Sequence, residues 1–416
     1  MKKFAVGILL VFVVMCIWAQ WTLAASETTF FEVESVDTMK YSRDAARNKE
    51  AHKLIPEMIA AAAALNPTHI AIATPYDDEF IPVTKLWVDE IRKRNIKVWY
   101  RGNFAAWENW FGYERFQDPY EHIARTERFI KNNPDLFTDG DIFTPVPEAE
   151  NGGFGDPRKD EETKRKFFDF LPKSYDSCTA AMKSIRKNVK CGYFSVNGDV
   201  ARMFTKDIVD RTGGVLVIDH YVKTPEKLIE DIQAYHQTTG AKIVLGEYGA
   251  PIPDIHGDLS EDEQELLIRQ NMDLLVKHRD IIGGINYWTA FGGSTEIFRE
   301  RTQPKKAAKT LEEYFNPIVI KGNVQDEFGA AVANARIEND ITTVTTDAFG
   351  NYSLLATPHY MSFNVTHPDY RENDVTVTRV GTDKNYLQNI QLVAVKHDFI
   401  YHIRKFFNKL ISFTSY

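Results

Sequence analysis

The sequence predicts an α/β fold, a (β/α)8 TIM barrel followed by a small C-terminal all-β sandwich. Three observations carry the prediction. Eight short apolar runs alternate with helical stretches between Phe31 and Tyr314. The C-terminal ends of those runs are polar or aromatic all round the order, as a barrel rim requires. An open doubly wound sheet would gather such residues at one switch point, and no glycine-rich phosphate turn follows the first run. After Pro317 the pattern changes to short alternating strands separated by turn residues. The 416 residues suffice for a barrel of ~250 residues and a smaller module.

The elements follow in order. Phe31 to Val36 alternates and ends at Asp37, a first strand. Asn48 to Leu65, rich in Ala, Leu, Ile and Met and closed by Pro67, is a helix. His69 to Ala73 is the second strand, ending near Asp77 and Asp78, with a helix through Arg94. Ile96 to Tyr100 is the third, ending in Arg101-Gly102-Asn103-Phe104 and an aromatic loop with Trp107 and Trp110. A helix runs from Pro119 to Asn132. Asp141 to Val146 is the fourth strand, leading into Glu148 and Glu150. A long polar loop and a helix from Tyr175 to Asn188 come next. Val189 to Val196, ending at Asn197, is the fifth strand, and the helix after it reaches Arg211. Val215 to Asp219, ending in His220-Tyr221, is the sixth. Pro225 to Gln237 is a helix closed by Gly240. Lys242 to Leu245 is the seventh strand, with Glu247 just past it, and Ser260 to Glu263 opens a helix with a capping pattern. Gly284 to Tyr287, ending at Trp288, is the eighth, and Lys305 to Tyr314 is the last helix. The expected barrel covers residues 30–316 and the sandwich 317–395, with strands at Ile318–Val324, Ala333–Asn339, Thr342–Thr346, Tyr352–Leu355 and Met361–Thr366.

Both termini carry signals of their own. Lys2 and Lys3 precede the apolar run Phe4 to Trp18, and small residues follow at Ala24, Ala25 and Ser26. Residues 1–25 thus read as a secretory leader, with an uncleaved anchor as the alternative, and the chain is expected to be secreted, cell-surface or periplasmic. Past the leader only Cys178 and Cys191 remain. Export permits a disulfide between them, and two buried free thiols are the other possibility. In residues 396–416, apolar Phe399, Ile403, Phe406 and Leu410 alternate with Arg404, Lys405 and Lys409. This is a basic amphipathic helix suited either to an anionic membrane surface or to docking on the sandwich. The net charge of −8 argues against nucleic acid as the main partner and leaves a neutral polysaccharide open.

The chemistry is expected at the strand ends. Glu247 ends one apolar run, and Glu148 or Glu150 ends another. Two strand-end carboxylates of this kind suit a retaining glycosidase, one as nucleophile and one as acid/base. Arg101, Asn103, Trp107, Asn197, His220, Tyr221 and Trp288 are the candidate substrate-binding residues around them. Aromatic rings in a polar loop suit stacking on sugars. No Cys/His cluster has zinc spacing, and the expected mechanism calls for no metal or organic cofactor.

These residues resemble the clan of retaining (β/α)8 glycoside hydrolases that includes cellulases and β-mannanases, over most of Phe31 to Phe315. In that clan the acid/base follows strand four, usually as Asn-Glu-Pro, and the nucleophile follows strand seven in a Glu-aromatic-Gly setting. Glu247-Tyr248-Gly249 matches the second. His220-Tyr221, Trp288 and Arg101 resemble the clan's residues around the nucleophile, although Arg101 here follows the third strand. Pro147-Glu148-Ala149-Glu150-Asn151 departs from the first motif because no Asn precedes the Glu; register favours Glu148, with Glu150 second. The resemblance implies cleavage of a β-linked polysaccharide or oligosaccharide by double displacement. The alternative is a non-catalytic carbohydrate-binding or surface-assembly protein on a barrel scaffold. The C-terminal module resembles the carboxypeptidase regulatory-like (transthyretin-like) domain, on Ile320-Lys321-Gly322-Asn323-Val324, Ala333-Asn334-Ala335-Arg336-Ile337 and Thr345-Thr346-Asp347-Ala348-Phe349-Gly350-Asn351-Tyr352.

Overall fold

The computed structural model describes residues 28–395 and Ile403. The expected leader, and the expected tail apart from Ile403, lie outside the described residues. One compact unit spans Phe31–Asn316, and another contains residues 317–395.

The first unit is a parallel barrel with helices between its strands. Its strands are β1 (Val33–Asp37), β2 (His69–Ile72), β3 (Lys97–Tyr100), β4 (Ile142–Phe143), β5 (Ser195–Asn197), β6 (Val215–Asp219), β7 (Lys242–Tyr248) and β8 (Ile282–Tyr287). They pair in the order β4-β3-β2-β1-β8-β7-β6-β5. The sheet closes between β4 and the segment before β5: Phe143 N–H donates to Lys190 O, and Lys190 N–H to Asp141 O, each at 2.9 Å. Val33, Ala71, Trp99, Ile142, Tyr193, Val217 and Val244 form one buried cluster inside, so the interior is packed and not a pore. Burying a Val or Ile side chain contributes about 1.5–3 kcal/mol each. Side chains two residues apart on a strand share a face. Ser35 and Asp37 therefore rise above Val33, Arg101 above Trp99 and Asp219 above Val217. A polar layer sits on the apolar one by period alone, at the C-terminal ends of the strands.

Local chemistry starts and stops the helices. Asp160 caps Glu161–Ser184, its Oδ1 accepting Thr163 N–H at 2.7 Å. Thr224 caps Pro225–Thr239, and Gly240 ends that helix at φ 68°. Ser260 and Glu263 form a reciprocal capping box on Glu261–Lys277. Such caps contribute about 1 kcal/mol each.

Several elements differ from expectation. The helix expected at Asn48–Leu65 is two pieces, Lys49–His52 and Ile55–Ala63, with Pro56 in the first turn of the second. The helix expected from Tyr175 starts at Glu161 and contains Pro172; the Asp160 cap and the apolar stripe of Phe167, Phe170 and Leu171 carry it through what reads as a polar loop. Strand four is only Ile142–Phe143, because Pro145 and Pro147 cannot donate to a ladder. Strand five shrinks to Ser195–Asn197, since Gly192 and Tyr193 lie at φ 89° and 51°. Strand seven is longer and runs to Tyr248, so Glu247 lies inside it and not past it. Cys178 and Cys191 form a disulfide that ties helix Glu161–Ser184 to the segment before β5.

The second unit is all-β. Ile318–Asp326 pairs antiparallel with Asn351–Ala356 and parallel with Asn385–Leu387 and Ile390–Leu392. A second sheet pairs Thr343–Thr345, Arg336–Glu338, Ser362–His367 and Tyr370–Thr376. Ile320, Ile337, Leu354, Phe363 and Val365 lie in the core between them. Tyr370–Thr376 and Asn385–Leu387 are absent from the sequence expectation because their residues are mostly polar or exposed, and Ile390–Leu392 is absent because it is only three residues long.

Candidate active site

The polar layer converges on one guanidinium. Arg101 leaves the end of β3 and crosses the barrel, with 1% of its surface exposed. Its Nη1 donates to Asp37 Oδ2 at 3.0 Å and to Gly246 O at 2.6 Å. Its Nη2 donates to Ser195 Oγ at 3.1 Å, to both oxygens of Asp219 at 3.1 and 3.2 Å, and to Glu247 Oε1 at 3.4 Å. Asn286 Nδ2 joins the network through Asp37 and Gly246 O. Gly246 allows this approach: a Cβ there would lie 2.5 Å from Asp219 Oδ1. The register of β7 shifts between Leu245 and Tyr248. That irregularity turns Glu247 inward, as bulges do next to functional sites.

Glu247 is gripped from two sides. The Tyr221 hydroxyl donates to Oε2 at 2.9 Å, and Arg101 reaches Oε1. Burial pushes the Glu247 carboxyl up, Arg101 pulls it down and the Glu148 charge raises it again, leaving it at about 7. Asp219 is pushed well above the carboxylate range, by burial first, against the pull of Arg101 and with the push of Glu247. One guanidinium faces Asp37, Asp219 and Glu247 together.

Glu148 comes from the opposite side of the rim. Its backbone is left-handed, at φ 42° and ψ 53°, which costs a non-glycine residue on the order of 1–2 kcal/mol. Two bonds hold it there: its N–H donates to Ser195 O at 2.8 Å, and its carbonyl accepts Asn151 N–H at 2.9 Å. Asn197 Nδ2 donates to Glu148 Oε1 at 3.4 Å and to Glu150 Oε1 at 3.1 Å. Burial and then the Glu150 charge push Glu148 up to about 7, against the weaker pull of Arg101. Arg101 and Tyr221 bond Glu247 directly and not Glu148. Both carboxyls stand at about 7, and only Glu247 has a cation and a hydroxyl bonded to it.

The structure brings together Glu247, Glu148, Glu150, Arg101, Asn197 and Tyr221. Trp288, partly exposed at the end of β8, packs edge-on against Tyr221 with ring centroids 6.0 Å apart. Three expected site residues are turned elsewhere. Trp107 is 1% exposed, stacks on Phe170 and donates Nε1–H to Ala149 O. A Cβ on Gly152 would lie 2.2 Å from Trp107 O, so this residue is the seat beneath the Glu148 loop and not a sugar platform. Asn103 is buried, its Oδ1 bound by Phe104 N–H and His122 Nε2–H, each at 2.8 Å. His220 points its Nε2 at Asp231 on helix Pro225–Thr239, at 3.0 Å. Asp77 and Asp78 line a separate cavity of about 370 Å3 with Tyr76, Phe104, Arg125 and Arg128. Sequence reasoning missed Ser195 and Asn286 and did not weigh Asp37 or Asp219 as site residues. The available signal was polar residues at inward register, two positions above the apolar layer.

The chain matches no protein-family profile and no curated protein sequence. Solved structures do match. A GH5_18 structure from Streptomyces cattleya, in complex with GlcNAc, aligns over 73% of this chain and 85% of its own, at 12% identity and TM-score 0.52. A GH5-4 broad-specificity endoglucanase from an uncultured bacterium aligns over 70% and 96%, at 12% identity and TM-score 0.51. A family 5 xyloglucanase from Paenibacillus pabuli aligns over 68% and 98%, at 9% identity and TM-score 0.51. At these identities the likeness is one of fold, and the chain shares with those GH5 structures the (β/α)8 barrel.

Proposed function

We propose that this chain is a secreted glycoside hydrolase that cleaves a β-linked polysaccharide or oligosaccharide with retention. The observation that carries the reading is the unequal setting of two acids. Glu247 is bonded by Arg101 and Tyr221. Glu148 is buried beside a second glutamate and pushed up to about 7. Both carboxyls are raised to about 7, so the bonded groups decide the roles: the donors on Glu247 favour its anion, and the Glu150 charge favours the proton on Glu148. Glu247, ionised, attacks the anomeric carbon while Glu148 gives its proton to the departing glycosidic oxygen. Glu148, now a base, takes a proton from water, and the water hydrolyses the ester on Glu247. Arg101 and Tyr221 hold the attacking carboxylate in line. Trp288 offers a ring face at the rim.

Trapping tests this. A panel of activated 2-deoxy-2-fluoro β-glycosides should leave one glycosyl adduct per chain, on the peptide that carries Glu247. Absence of both an adduct and turnover, with retained binding to immobilised polysaccharide, would establish the non-catalytic alternative.

A further inference from the structure

Glu150 sits in a setting that neither nucleophilic attack nor leaving-group protonation explains. It is 5% exposed. Its Oε1 accepts two bonds from one residue, Asn197 N–H at 2.7 Å and Nδ2–H at 3.1 Å. The same Nδ2 donates to Glu148 Oε1 at 3.4 Å. Glu150 Oε2 is buried and has no hydrogen-bond partner among the described residues. One amide thus bridges two carboxyl groups, and the carboxyl that anchors it is shut away from substrate. Pro147 precedes Glu148, so the neighbouring position offers no side-chain amide. The amide arrives instead from the end of β5.

We propose that Glu150 is a positioning residue that locks the Asn197 amide onto Glu148 and sets a fixed negative charge beside it. This rests on the reading of Glu148 as acid/base. An N–H aimed at Glu148 Oε1 makes that oxygen the acceptor and leaves Oε2 to carry the proton. A neighbouring like charge disfavours ionisation of Glu148 and so keeps the proton in place. The other charged groups that face Glu148 are Arg101 from β3, Arg43 after β1, Glu108 on the short helix Ala105–Glu108, and Glu247 and Asp219 across the barrel. Those around Glu150 are Arg158 and Glu108. Burial pushes Glu150 up, while the Asn197 donors and Arg158 pull it back. Arg158 is shared with Asp156 and Asp199, so Asn197 is the closest stabiliser of the Glu150 anion.

Carbon-13 NMR titration of the glutamate side-chain carboxyls in the full chain reads this without turnover. The Glu148 resonance is assigned by its loss in Glu148→Gln. Glu150→Gln keeps an oxygen for Asn197 and removes only the charge, and the Glu148 midpoint should fall by on the order of one pH unit. The alkaline limb of kcat/KM should fall with it. Glu150→Ala also removes the charge and should move the midpoint in the same direction. It serves as the deciding variant if Glu150→Gln fails to fold. A midpoint that stays or rises in a folded variant overturns the proposal. A wild type that hydrolyses no glycoside while the midpoint falls as expected would refute the glycosidase reading and leave the clamp standing.

Discussion

Replacing Tyr221 by Phe removes one hydroxyl from the Glu247 carboxylate and little else. The bond lost is 2.9 Å long, and it lowers the ionisation point of a carboxyl that burial has already raised to about 7. A hydrogen bond to a charged group is worth about 1.5–3 kcal/mol. One pH unit corresponds to about 1.4 kcal/mol, so Glu247 should titrate about one to two units higher in Tyr221→Phe. The sign follows from its role. The nucleophile works ionised, so the acid limb of the kcat/KM profile should move to higher pH. At a pH on that limb the rate should drop about tenfold or more. A second consequence is redistribution of the proton shared by Glu247 and Glu148 toward Glu247, which lowers the fraction of correctly protonated enzyme at every pH. The assay is a pH profile of wild type and Tyr221→Phe on an activated aryl glycoside, with thermal unfolding as the control for folding. An acid limb that stays in place, or moves down, would show that Tyr221 does not support the Glu247 anion and would sink the assignment of Glu247 as nucleophile.

Three other outcomes are expected. Glu148→Ala should lose most activity on substrates with poor leaving groups, retain glycosylation by activated aryl glycosides and recover turnover with added azide; rescue of Glu150→Ala instead, with Glu148→Ala dead on activated substrates, would move the acid/base to Glu150. Cys178→Ala with Cys191→Ala opens a loop whose ends are 13 residues apart, and denaturant unfolding should show a loss of about 3 kcal/mol on the chain-entropy account; an unchanged midpoint would mean that helix packing already fixes that segment. Deleting residues 396–416 should weaken binding to anionic liposomes, and equal binding by both chains would leave docking of the tail on the sandwich as its role.

Local order was legible in the sequence. The alternation of apolar runs and helical stretches yields a barrel because periodicity and caps act over a few residues, as Asp160, Thr224 and Ser260 illustrate. Glu247-Tyr248-Gly249 could be singled out because an acid at the end of an apolar run is a local anomaly. The polar network was decided only by closure of the sheet. Asp37, Arg101, Ser195, Asp219 and Asn286 are scattered along the chain, and they meet because every second strand position faces the same interior. Whether an aromatic residue becomes platform or core also depends on its neighbours in space: the glycines at 152 and 153 bring the Glu148 loop down onto Trp107, whereas Trp288 stays partly exposed with Lys40 Nζ 5.3 Å from its ring centroid. Likewise the Glu148 turn and the Asn197 clamp require two prolines to end β4 early and β5 to stand beside it. Hydrophobic pattern is written residue by residue. The charges that raise Glu148 and hold Glu247 act through space, across a barrel whose closure brings distant strands within a few ångströms.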